Sequence, residues 1–438
     1  MYRTKRALIL VAVGSWVSFP LVCGVAASAQ EPMPRPIQQA PTPSVVHLTL
    51  EEATQRAISV NKLLALGAMN VTSKGYATRA VQSNYFPHVI GASAYFHFDE
   101  PLGEVLSTRG RPVLGLPPNV FDVNFLNHNS SWTTLAAIQP ITDLLKVRQG
   151  VLIARADQQI AQAKLDSGTR EVVSGAEQLY WGILAVRRIQ AGAAQGVQGA
   201  EMLAKTGALE ARTALVEAKQ GLEDANKQLA GLEEQLNNLL DYPPCTKLEL
   251  AEPAPPVLPF ACVDEAISLA IAASPDVREA RANIDKGRAA VAAGRLEFVP
   301  SVAVMGGYLN QTAMSYIQQD FEYVGVIGSY TFFDAGKRRN TIRERETLTA
   351  MAVLKLQQTE DDVRQKTVKA FREFGETRQA LATAGELVGV RTESAKTAKT
   401  PEAMMAAAKP LALSQVDYIK AELAHQQAYV TLMVLIGK

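Results

Sequence analysis

Across 438 residues the chain is 47% hydrophobic but only 6% aromatic, its apolar mass being mostly Ala, Leu and Val. That mix favours long helices in close contact over an aromatic-rich sandwich core. A formal net charge of +1 leaves no electrostatic footprint for a nucleic-acid partner.

The first residues, MYRTKR, are basic, Ala7 to Val22 is mostly apolar, and Ala27-Ser28-Ala29 offers a small-x-small cleavage pattern. Residues 1–29 therefore read as a secretory signal peptide, the alternative being an uncleaved anchor, which Pro20 argues against. Cys23 follows Pro20-Leu21-Val22 and lacks the small residue that lipidation requires directly before the cysteine. Beyond the signal there remain Cys245 and Cys262, an even count that permits one disulfide in an oxidising compartment. Closing so short a loop would contribute about 3 kcal/mol. Two free thiols are the alternative. No later run is long and apolar enough for a membrane helix, so any crossing must be made by strands.

Residues 30–46 form a Pro-rich leader, and a second Pro-rich stretch, 242–260, reads as a linker near the middle of the mature chain. The segments on either side, 47–241 and 261–438, repeat one another. Displacing one by 213 places sets Glu52-Ala53 on Glu265-Ala266, Ala57-Ile58 on Ala270-Ile271, Pro87 on Pro300 and Tyr95 on Tyr308. Further on, Asp143 and Lys146 match Asp334 and Lys337 at an offset of 191, so the first copy carries a longer outer loop, from Asp99 to Ser130.

Each copy has the same predicted order. A helix (Leu50 to about Tyr85; Val263 to about Phe298) ends at a proline. Two alternating segments follow: HVIGASAYFHF and SWTTLAAIQPI in the first copy, SVAVMGGYLN and FEYVGVIGSYTFF in the second. Runs of about ten residues with aromatics near their ends have the length of a tilted membrane strand, although alternation alone equally describes a soluble hairpin. Trp132 suits an aromatic girdle, and Trp181 reads as helix packing. At Asp143 and Asp334 the strand hands over to a long helix, and each Asp is a candidate N-cap, the second within Phe333-Asp334-Ala335-Gly336. Seven-residue ladders run along those helices: Val172, Leu179, Val186, Ala193; Leu215, Leu222, Leu229, Leu236; Phe374, Leu381, Val388. They predict helices that supercoil on their neighbours. Breaks near Gly207, and between Ala398 and Pro410, should fold each long segment into a hairpin. An arm of fifty residues would extend on the order of 75 Å.

Four strands cannot close a barrel, but three chains would supply about twelve, within the range of outer-membrane barrels. The Glu-Ala pairs, the prolines at 87 and 300, the F-D-A-G of Phe333 to Gly336, the heptad hairpins and the closing Leu435-Ile436-Gly437 together resemble the TolC-type outer membrane efflux proteins. The resemblance covers essentially the whole mature chain. It implies an α+β membrane protein and a homotrimer, in which four strands per chain build a shared β-barrel in outer-membrane lipid and coiled-coil hairpins build an α-barrel across the periplasm. Its partners would be a periplasmic adaptor and an inner-membrane pump, with hairpin tips at Gly207 and Pro410 facing the adaptor. It implies no enzyme activity, cofactor or metal.

In that family acidic residues on the last hairpin ring the periplasmic constriction. Asp417 stands at the first acidic position, while Lys420 replaces the second, which puts cation selectivity in doubt. Thr213 matches a latch position on the first hairpin, with Ala214 where an acid is usual. The plain alternative for Asp417 is a solvated helix face, and for Gly207 a simple helix terminator. A coiled-coil periplasmic adaptor or scaffold is the competing reading of the whole chain. Its single hairpin between Gly-rich β domains does not fit a hairpin that occurs twice with strands in each copy. The five histidines share no metal-ligand spacing, and no nucleophile or phosphate-loop signature appears in context.

Overall fold

The computed structural model describes residues 45–99, 102–104, 124–205, 209–244, 246–252, 259–260, 262–397 and 401–437. In chain order these form β1 (Val45–Leu48), α1 (Leu50–Val60), α2 (Lys62–Ser83), β2 (His88–His97), β3 (Leu102–Glu104), β4 (Asn124–Leu126) and β5 (Asn129–Pro140). There follow α3 (Asp143–Ala204), α4 (Leu209–Leu239), β6 (Lys247–Leu250), α5 (Val263–Ala273) and α6 (Pro275–Arg295), the last ending in a 3-10 turn. The chain closes with β7 (Ser301–Gln311), β8 (Asp320–Ser329), α7 (Lys337–Thr397) and α8 (Pro401–Ile436).

The opening helix of each half is two helices, a correction to the single stretch that periodicity suggests. Asn61 ends α1 in extended backbone and its side chain accepts from the N–H groups of Leu63 and Leu64, starting α2. Ser274 does the same between α5 and α6, accepting from Val277 with Pro275 in the first turn. Asn61 and Ser274 occupy equivalent places in the 213-residue register. Thr49 starts α1 with a reciprocal capping box to Glu52. At the corresponding place Cys262 makes no side-chain cap and is an exposed free thiol; its expected partner, Cys245, lies outside the described residues.

Two cores repeat the same construction. In the first, Ala53 and Ala57 of α1 meet Ala176, Tyr180 and Ile183 of α3, with Leu236 and Leu240 at the end of α4. In the second, Ala266 and Ala270 of α5 meet Phe374 and neighbours on α7, with Leu432 and Ile436 at the end of α8. Alanine on the short helix lets its axis approach the long one closely. The Pro-rich linker contains a strand the composition hides: β6 pairs in parallel with β1, Val45 opposite Lys247 and Leu48 opposite Leu250. This pair is riveted to α3 by the buried Tyr180, whose hydroxyl lies 2.9 Å from Leu48 O and 2.7 Å from Ala251 O. Arg187 adds bonds to Leu248 O and, at 2.6 Å, to Glu233.

The long helices α3 (62 residues) and α7 (61 residues) each reach roughly 90 Å. Packing runs α2 on α3, α3 on α6 and α6 on α7, while α4 folds back on α3 and α8 on α7. Strands follow the same lateral order, β2-β5-β7-β8, all antiparallel, so helix layer and sheet are one continuous wall. In the second hairpin α7 ends at Thr397 and α8 begins at Pro401, the residues between lying outside the described ones. Pro410 lies inside α8 and is not the tip, a second correction: Pro401, whose missing N–H costs nothing in a first turn, takes the start of the helix. Gly207, the expected tip of the first hairpin, lies outside the described residues.

Candidate channel-forming site

The four strands have 10, 12, 11 and 10 residues, the length that crosses a bilayer when tilted. Register assigns each side chain to a face, because residues directly opposite across a ladder point the same way. One face carries Ile90 and Phe96 of β2, Trp132 and Ile138 of β5, Met305 and Leu309 of β7, and Phe321, Tyr323 and Ile327 of β8. It holds no Asp, Glu, Lys or Arg. Trp132 packs edge-on to Phe96 at 5.6 Å, near the loop end of the sheet where an interfacial girdle belongs.

The opposite face is polar at the loop end. Ser93 and Thr133 lie 3.0 Å apart, Tyr95 donates to Asn129 at 2.9 Å, and Tyr308 and Asn310 both donate to Asp320 at 2.6 Å. Glu322 stands on this face too, so both carboxylates of the four strands share it. Alternation within single segments did not reveal this ladder; its signal appears only when the registers are combined. Nearer the helices the same face turns apolar, with Val89, Leu135, Val304 and Val326. Among the described residues both sheet edges, β2 and β8, are unpaired, and Val324 on β8 is 86% exposed. An unpaired edge in hydrocarbon would leave a row of N–H and C=O groups without partners.

At the second strand-to-helix joint, β8 stops at Ser329, short of the predicted Phe333. Asp334 Oδ1 accepts from the Gly336 N–H at 3.0 Å and Oδ2 from the Arg338 N–H at 3.1 Å, so the carboxylate ties up the free start of α7. Ala335 and Gly336 both have positive φ, 51° and 84°, which swings the chain from strand to helix direction. These donors, led by the Arg338 N–H, hold the Asp334 carboxyl below its ordinary pKa. At the first joint Asp143 behaves differently. Its carboxylate binds Lys146 at 2.7 Å and the Ser301 hydroxyl at 2.8 Å, pinning the start of α3 to the start of β7 instead of capping its own helix. Both bonds, Lys146 first, lower its pKa.

At the far end of the wall, Asp417 and Lys420 stand exposed about one turn apart on α8, with no ion pair among the described residues. Thr213 is exposed on α4 and its hydroxyl donates to Leu209 O at 3.1 Å. What joins the two hairpins is a pair sequence reading did not select: Lys409 of α8 and Glu217 of α4, 2.7 Å apart. Arg188 of α3 adds a fork, 2.7 Å from Glu422 of α8 and 2.8 Å from Glu252. Nothing in the spacing of these residues singles them out, since each reads as an ordinary solvated helix charge. Among the described residues no helix is long and apolar enough to cross a membrane.

Among the described residues, then, a sheet apolar on one face and polar toward the loop end of the other, open at both edges, runs into helices of this length. Residues 266–438 match the outer membrane efflux protein family. The fold of the chain is similar to that of a membrane protein from Pseudomonas aeruginosa (TM-score 0.73, 16% identity, 89% of this chain and 90% of that one). It is also similar to the outer membrane protein VceC of Vibrio cholerae (0.67, 15%, 89% and 96%) and to the MtrE outer membrane channel of Neisseria gonorrhoeae in its open state (0.70, 13%, 89% and 88%). No curated protein matches the chain in sequence.

Proposed function

We propose that three copies close their open edges, β8 of one chain on β2 of the next, into a barrel of about twelve strands continued by an α-barrel through the periplasm. The observation that carries this is the pair of unpaired sheet edges, matched below by exposed apolar side chains on the two outermost helices. Leu63, Leu66 and Met69 line α2, and Leu348, Met351 and Leu354 line α7. Seating α7 on the neighbour's α2 covers both rows at once. The apolar sheet face then meets lipid, and the face bearing Asp320 and Glu322 meets the lumen.

The duct receives substrates from an inner-membrane pump through a periplasmic adaptor, which engages the ends of the α3–α4 and α7–α8 hairpins. Asp417 and Lys420 form mixed-charge rings near the periplasmic aperture, with Thr213 nearer the tip on the first hairpin. Three lysines opposing three aspartates flatten the local potential, so the aperture selects weakly between cations and anions.

The test has two stages. Protein extracted in mild detergent is weighed by light scattering coupled to size exclusion, and a protein mass of three chains is expected. Planar-bilayer recordings then compare Asp417→Asn with Lys420→Gln: the first should move the reversal potential toward anion preference, the second toward cation preference. A monomer soluble without detergent would remove the channel and restore the scaffold reading. Identical reversal potentials in both variants would remove these residues from the aperture.

A further inference from the structure

The joint between sheet and helices carries a charge excess that neither conduction nor helix capping uses. Within about three turns of the sheet on α2, α3, α6 and α7, acids are paired with cations of the same zone. Asp143 is matched by Lys146, Asp285 by Arg288, Glu297 by Arg345, Asp334 by Arg338 and Glu346 by Arg295. Lys286 in turn reaches Asp157. Among the described residues this leaves Lys74, Arg79, Arg148, Lys337, Arg339 and Arg343 without ion pairs, opposed only by Glu344. Lys337, Arg339 and Arg343 are exposed and crowd the first two turns of α7.

Directly on the membrane side of this excess stand bare aromatic rings. Phe332 is 92% and Phe333 85% exposed, with Phe86 exposed at the foot of β2. The guanidinium of Arg338 lies 5.3 Å from the Tyr330 ring and 5.7 Å from the Phe298 ring, holding the joint rigid between the two layers. Rings at the hydrocarbon border followed at once by unpaired cations are the arrangement that a phospholipid monolayer complements, acyl carbonyls against the rings and phosphates against the cations.

We propose that this joint is a binding surface for anionic phospholipid headgroups of the periplasmic leaflet, with Lys337, Arg339 and Arg343 as the phosphate contacts and Phe332 and Phe333 as the interfacial anchors. The proposal rests on the outer-membrane reading above. Anionic phospholipid on this surface stabilises the α7 end of each joint, whereas a zwitterionic headgroup of equal chain length has no net charge to offer it.

The test titrates the detergent-purified protein with short-chain phosphatidylglycerol or phosphatidylcholine and follows the melting temperature by tryptophan fluorescence. Phosphatidylglycerol should raise it at concentrations at least tenfold below those of phosphatidylcholine. The preference should vanish in about 1 M salt, where the screening length falls to about 3 Å. In Lys337→Gln/Arg339→Gln/Arg343→Gln the half-maximal phosphatidylglycerol concentration should rise on the order of a hundredfold, at about fivefold per cation. Arg339→Lys/Arg343→Lys should keep the preference, and inorganic phosphate alone should give no gain. Equal responses of the native protein to the two lipids would overturn the proposal. So would a triple variant that loses trimeric mass while its surviving trimers retain the preference, because a neighbouring copy would then be what these cations meet. The mass measured in the same samples reports on the channel reading separately: a trimer with no lipid preference sinks only the lipid site.

Discussion

Replacing Gly437 by alanine tests how the end of the chain is held. Gly437 follows α8 with φ of 81°, and its N–H returns to Val434 O at 3.2 Å. An L side chain there costs roughly 1–2 kcal/mol in backbone strain. A Cβ at this position would also stand 2.8 Å from Ala273 Cβ and 2.7 Å from Arg170 Nη2. The guanidinium can swing away, but Ala273 is part of the last turn of α5, so helix backbone must move, at about 1–3 kcal/mol. The alanine's stiffer unfolded chain returns about 0.4–1 kcal/mol. The net is about 2–4 kcal/mol of local destabilisation, confined to the meeting of α5, α8 and α3. A membrane protein of this size seldom unfolds reversibly, so native-state hydrogen exchange is the suitable assay. Amides around 266–278 and 428–437 should exchange some thirtyfold to a thousandfold faster, while those of β5 and β7 keep their rates. Exchange within about twofold of the native protein at both segments would refute the crowding argument, since neither strain nor clash would then exist.

Adjacent glycines in β7 should differ sharply. A Cβ on Gly307 would lie 2.5 Å from Leu135 O and 3.0 Å from Ala136 Cα, whereas one on Gly306 meets nothing nearer than 3.4 Å. Gly307→Ala should therefore abolish recovery of the folded protein from membranes and Gly306→Ala should not, as gel mobility of unheated samples will report. His425 packs 4.6 Å from the Phe374 ring with Thr377 at 3.3 Å, and burial first, then Arg378, lowers its pKa. The unfolded chain thus binds the proton more readily, so stability present above the unfolded value of about 6.5 declines as pH falls from there through the folded pKa. The melting temperature should drop between pH 7.5 and 5.5 in the native protein and lose that component in His425→Gln. Asp143, its pKa depressed by Lys146 and Ser301, contributes stability above about pH 3.9 that is lost as pH falls through the folded value. Melting curves from pH 5 to pH 2 should be flatter for Asp143→Asn, and an unchanged slope would mean the carboxylate does not hold the joint.

The sequence carries the architecture because the architecture is written in periods. Two-residue alternation places the four strands, and seven-residue spacing places the ladder of Val172, Leu179 and Val186 on one buried side of α3. What it hides are single-residue decisions. Asn61 and Ser274 cut helices whose apolar spacing continues on either side, and only the Ser274-Pro275 step is a recognisable start signal. β6 is short and set among prolines, and it exists because Tyr180 and β1 supply partners from far away in sequence. Pro410 looks like a break, but the missing donor falls on an exposed helix among alanines, and Pro401 supplies a better start. At the hairpin end of the wall, the sequence marks Asp417 by resemblance alone. The Lys409–Glu217 pair is a tertiary fact with no local signature.

Duplication also explains where the halves stop being equivalent. The end of α4 is held from within its own half: Arg56 of α1 donates to Leu240 O at 2.9 Å and lies 3.9 Å over the Tyr242 ring. The equivalent end of α8 is held from the other half. There Arg170 of α3 reaches Ala273 O at 2.9 Å and Val434 O at 3.4 Å, so one guanidinium meets the carbonyl ends of α5 and α8 together. Cations at helix C-termini are favourable wherever they come from, but a cation from the opposite repeat makes the second half's core depend on the first. Arg170 thus joins the β5–β7 ladder above, the Lys286–Asp157 pair between α6 and α3, and the Lys409–Glu217 pair below in fixing how the two halves lie against one another.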